Sequence, residues 1–104
     1  MALDYTVYYK GSKDELNNLL NSFRKQEVMD RDLFTLGSIK ELDDIKRDIL
    51  KDMNYQESYD FSIFFRLNKW KAVEATSVLK IFRDQYLTKE KSIFLLNGDT
   101  ELSN

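Results

Sequence analysis

Residues 59–67 run Tyr-Asp-Phe-Ser-Ile-Phe-Phe-Arg-Leu, and their pattern decides the architecture. Tyr59, Phe61, Ile63, Phe65 and Leu67 are apolar, while Asp60, Ser62 and Arg66 stand between them. A period of two sends alternate side chains to opposite faces, so the stretch predicts a central β-strand with one apolar face. Phe64 interrupts the alternation by adding a ring to the polar face. Either that face is also covered and Phe64 packs internally, as strand aromatics commonly do, or Phe64 is a contact residue.

Downstream, Asn68 can cap a third helix from Lys69 to Lys89, whose apolar face is Ala72, Ala75, Val78, Leu79, Phe82, Tyr86 and Leu87. Trp70 in its first turn either covers the sheet edge or stands exposed; burial is the expectation, since an exposed Trp is uncommon without a partner. Ile93-Phe94-Leu95-Leu96 is an inner strand, Asn97-Gly98 is a hairpin turn, and the polar return arm to Leu102 makes at most an edge strand. Strand, helix and strand form a β-α-β unit long enough for a parallel crossover.

Upstream, Leu3, Tyr5, Val7 and Tyr9 alternate with polar residues and predict a first strand ended by Gly11. Ser12-Lys13-Asp14-Glu15 is a capping box, followed by Leu16, Leu19, Leu20 and Phe23 at helical spacing. Arg24 to Asp32 looks like a polar connection, and Leu33 to Leu36 a short strand. A second capping box at Ser38-Ile39-Lys40-Glu41 predicts a helix whose apolar stripe is Ile39, Leu42, Ile45, Ile49 and Met53. The expected class is therefore α+β: a single mixed sheet of three to five strands, two or three helices mainly on one face, in the order β-α-(β)-α-β-α-β, all in one domain over residues 1–104.

Composition narrows the chemistry. The 104 residues contain no histidine, cysteine or proline. Without His or Cys there is no Ser-His or Cys-His nucleophilic pair and no thiolate metal site, which removes most hydrolase and nuclease designs. Carboxylate pairs such as Asp43-Asp44, or Asp30 with Asp32, leave a divalent-metal enzyme as an open alternative, although they match no recognised loop pattern. No apolar run approaches the length of a membrane helix, and the start lacks a signal peptide's features, so a cytoplasmic, non-enzymatic protein without cofactor is expected.

The net charge of -2 is unevenly placed. Residues 27–60 hold ten acids against five bases, whereas residues 61–104 hold seven bases against five acids. Within the second helix Glu41, Asp44, Asp48 and Asp52 step by three, four and four, which stacks four carboxylates in one column. Like charges four apart cost about 0.2–0.5 kcal/mol per pair, and acids near a helix C-terminus oppose its dipole. Either the column is a solvated face, partly neutralised by Arg47 and Lys51, or it is a surface for a basic partner. Tyr55, with Glu57 beyond it, lies beside the column and extends it as a protein-binding surface; alternatively, Tyr55 folds back as a lid on the helix.

Met1-Ala2-Leu3-Asp4-Tyr5, Phe65-Arg66-Leu67-Asn68-Lys69, and Ile93 to Leu96 closed by Asn97-Gly98 stand out as three scaffold motifs. In these places the chain resembles a family of bacterial immunity proteins, the Sit-type group of contact-delivered polymorphic toxins, which overlaps the immunity proteins of contact-dependent growth inhibition. The chain departs from the pattern at Asn54-Tyr55, where a Gly-aromatic step is more usual, and in its polar return arm after Gly98. The resemblance implies a cytoplasmic inhibitor that binds and neutralises one cognate toxin C-terminal domain. Members share a scaffold and differ in the toxin-facing surface, so the resemblance assigns no binding residue. The acidic excess of residues 27–60 would suit a basic toxin such as a nuclease. A phage-type DNA mimic predicts the same surface. A small RNA-binding module would instead use Phe61, Phe64 and Phe65 as a stacking platform.

Overall fold

The structure is a computed structural model and describes residues 3–55, 59–98 and 100–103. Its first strand, β1 (Leu3–Tyr9), pairs on one side with β4 (Phe61–Leu67) and on the other with β5 (Ser92–Leu96). β1 therefore takes the middle of the sheet, and the 59–67 stretch lies one place off centre. The reason is burial on both faces: Tyr5, Val7 and Tyr9 face one layer, and Tyr8 is buried on the other.

Beyond β4, the short strands β2 (Phe34–Leu36) and β3 (Lys40–Glu41) lie end to end along one edge, while β6 (Thr100–Glu101) pairs with β5 at the opposite edge. The sheet is thus five positions wide and built from six segments. Every pairing is antiparallel, which corrects the expected mixed sheet. The β-α-β unit does join two strands of the same direction, but β1 is inserted between them.

Two helices cover one face. The first, α1 (Lys13–Phe23), is capped by Ser12, whose hydroxyl accepts from the Glu15 amide, and it continues as a wider π-helical turn to Val28, inside the expected polar connection. The third, α3 (Ala72–Ile81), follows a 3₁₀ turn at Lys69–Lys71 and also widens, over Phe82–Leu87. Between these helices and the sheet, Phe82 stacks on Phe23 at 4.3 Å and meets Phe65 and Phe94 edge-on at 5.8 and 5.9 Å. Tyr9, fully buried, donates its hydroxyl to Glu15 and so ties α1 to β1. Gly11 makes this approach possible, because its φ is +153° and an added Cβ would lie 2.7 Å from the Tyr9 ring. Arg83, 6% exposed, donates to the carbonyls of Leu102 and Ser103 and pairs with Asp84, which fastens the C-terminal segment.

The second helix, α2 (Asp44–Asp52), packs on the opposite face. It starts later than the Ser38 capping box predicts: Lys40 and Glu41 pair with β4, and Asp43 is the cap, accepting from the Lys46 amide at 2.8 Å. Its end is a complete Schellman motif. The amide of Asn54 donates to the Lys51 carbonyl, that of Tyr55 donates to Leu50, and Asn54 has φ +67°. Asn is the commonest substitute for Gly at such a left-handed position, which accounts for the departure from a Gly-aromatic step.

A candidate partner-binding surface on the second helix

Leu42, just before α2, and Leu50 within it are buried with Tyr8, Tyr59, Ile93 and Leu95, and Met53 and Tyr55 pack against this cluster. These anchors fix the rotation of the helix. At 100° per residue the inward side is Lys46, Leu50 and Met53, so Ile45 and Ile49 must lie outside it. They are 71% and 46% exposed. The predicted stripe was therefore rotated: Leu42 and Met53 belong to the packed side, and Ile45 and Ile49 do not. Lys46 fits inward because its stem is long enough to carry the ammonium to Ser62 Oγ at 3.4 Å.

Asp44, Asp48 and Asp52 are exposed along the outer crest of α2. Asp44 stands in the first turn, where it favours the helix dipole, while Asp52 closes the helix against it. Glu41 is also exposed, but on β3 rather than on the helix. By helical rotation the crest has Arg47 and Lys51 on one flank and Ile45 and Ile49 on the other. Tyr55 lies just past the helix, half-buried over Leu50, and donates to Glu101 of β6 at 3.3 Å; burial, then the Glu101 carboxylate, pushes its phenol pKa up. Glu57 falls outside the described residues. The structure thus gathers Asp44, Asp48 and Asp52 into one surface, sets Glu41 before it, and places Tyr55 mainly as its lower support.

α2 covers only the end of its sheet face. Around Thr6 and Phe64 that face stays open, as a groove of about 440 Å³ whose lining includes Thr6, Gly37, Ser38, Lys40, Lys46 and Phe64. Phe64 is 38% exposed, with the Arg66 guanidinium 5.7 Å from its ring centre. Gly37 lets the edge strand come close, since an added Cβ would sit 3.3 Å from that of Phe64. Phe65 is buried and Phe61 packs against the α1/α3 layer, so the strand presents one ring to solvent instead of a stacking platform. Asp43, half of one candidate metal pair, spends its carboxylate on the cap. Among the described residues no group of three or more acids is arranged to hold a metal ion.

Sequence reasoning missed Ile45, Ile49, Trp70 and Val73 as surface residues. The last two are 84% and 85% exposed, against the expectation that Trp70 covers the sheet edge. Asp43 was the usable signal for α2: as the cap, it moves the helix start and turns the stripe.

Fold and surface define a small single-sheet α+β domain with an acidic, partly apolar helix turned outward. No known family matches the sequence, and no curated protein does either. The same fold occurs in a chain of the solved CdiA-CT/CdiI toxin and immunity complex from Burkholderia pseudomallei. The TM-score is 0.79, 98% of each chain is covered, and sequence identity is 15%.

Proposed function

We propose that this protein is an immunity protein: a non-enzymatic inhibitor that binds one cognate toxin C-terminal domain in the cytoplasm and neutralises it. The matched chain comes from a complex of a toxin with its immunity protein. Of the two roles, inhibition suits a chain that has neither His nor Cys and whose most distinctive surface is built for contact. The observation that carries the reading is the α2 crest, where three aspartates stand in line beside two exposed isoleucines. Solvated acids alone need no apolar neighbours. A protein interface uses apolar area for affinity and charge for steering and selection.

The charge calls for a basic partner, which agrees with a toxin that grips nucleic acid, and Glu41 and Glu57 would extend the same acidic field. The test is binding to a toxin C-terminal domain, sought in the reading frame directly upstream of this chain's gene, where the proposed role would place it. Replacing Asp44, Asp48 and Asp52 together by Asn is expected to weaken binding at least tenfold and to flatten its salt dependence. Unchanged affinity and salt dependence would move the contact elsewhere, and toxicity of the chain expressed alone would reverse the roles.

A further inference from the structure

Among the described residues the most exposed large apolar ones are Trp70 and Val73, at 84% and 85%. They stand three apart where the 3₁₀ turn enters α3, so they share one side of that helix entry. Their surroundings are basic. Lys69 holds its ammonium 5.0 Å from the Trp70 ring centre, and Lys71 donates to the carbonyl of Arg31, which does not offset its charge. Glu74 is taken up by Arg31 at 2.9 Å.

This patch lies at the other end of the molecule from α2. The second helix covers the sheet end where β4 begins, near Tyr59 and Tyr8, and Trp70 follows the end of β4 at Leu67. About 20 Å of strand separates the two ends, and α2 and α3 lie on opposite faces. A partner seated on the crest of α2 would leave Trp70 uncovered.

The two patches nevertheless complement each other. One offers Ile45 and Ile49 beside aspartates, the other Trp70 and Val73 beside lysines, and both present their apolar pair at helical spacing. We infer that the Trp70–Val73 patch of one copy docks on the α2 crest of a second copy. The contact is head-to-tail, since the two surfaces differ, and it leaves one free patch at each end for further copies. The inference uses the surface assigned above to the toxin but not the toxin itself, so its test contains none. One consequence is that a toxin bound to α2 and a second copy exclude one another.

The test is sedimentation of the purified chain across a concentration series. Trp70 is the chain's single tryptophan, so its fluorescence reports the same contact. Self-association with a blue shift of emission, weakened by added salt, is expected. Trp70→Ala and Asp48→Arg, both at exposed positions, should each weaken association at least tenfold while leaving the circular dichroism unchanged. Mixing them is decisive. The first variant keeps an intact crest and the second an intact Trp70 patch, so the mixture should form a dimer that grows no further. A chain that stays monomeric at every concentration, variants that associate like the parent, or a mixture that fails to pair would each overturn the inference.

Discussion

The two faces of the sheet are finished differently. On the α1/α3 side Phe23, Phe65, Phe82 and Phe94 interlock around one ring, and the charged groups there, Glu15 and Arg83, have named partners. On the α2 side a helix of nine residues covers one end only, leaving the Phe64 groove open and two isoleucines in water. Sealed packing makes the first face the source of stability. Incomplete cover leaves the second free to vary without loss of the fold, which is what a partner-selecting surface needs.

The largest expected difference tests that division directly. Phe82→Ala removes the ring that Phe23, Phe65 and Phe94 all touch, and should cost about 3–5 kcal/mol in urea unfolding. Leu50→Ala, also buried but under a helix at the sheet end, should cost about 2–3 kcal/mol, since α2 can settle toward the gap. Equal losses would mean that both faces are part of one core. Smaller still is the expected effect of Ile45→Thr with Ile49→Thr. Stability should stay within about 0.5 kcal/mol of the parent, because neither side chain is packed, while affinity for the toxin domain proposed above as partner should fall at least tenfold. Substantial unfolding by this pair would return Ile45 and Ile49 to the core.

What the sequence discloses follows the same division. β1, β4 and β5 alternate or run apolar because they are held between layers, so their period survives in the residues. The hairpin at Asn97-Gly98 was equally visible, and both residues do take positive φ. The rotation of α2 was not, because Ile39, Leu42, Ile45, Ile49 and Met53 also fall at helical spacing and make a stripe without Leu50. Only the cap at Asp43 and the Schellman end at Asn54 decide between them. Trp70 was misplaced for a related reason: burial is the default for an indole, and an exposed one becomes visible only through the fold around it. The acidic column of α2 is legible in the sequence, since charge at helical spacing needs no tertiary context, but the exposed Ile45 and Ile49 beside it are not.

The smallest effect expected concerns pH. The hydrogen bond from Tyr9 holds the Glu15 carboxyl below its ordinary value of 4.5, and that from Arg83 holds Asp84 below 3.8. A carboxyl whose pKa is lower in the folded state adds stability above its unfolded value, and that stability is lost as pH falls through the folded one. Burial, aided by Glu15, raises the Tyr9 pKa far above 10.0, and burial raises those of Tyr5 and Tyr8. For these tyrosines the sign is opposite: their contribution is complete below 10.0 and is lost as pH rises through the folded values. With no His or Cys to titrate between these limits, the melting temperature should be nearly flat from about pH 5 to about pH 9. It should fall on the acid side as the Tyr9–Glu15 and Arg83–Asp84 contacts open. Glu15→Gln should reduce the acid-side fall while lowering the plateau, because its amide accepts from Tyr9 more weakly than a carboxylate does. An unchanged plateau in that variant would mean that the bond between β1 and α1 contributes nothing to the sealed face.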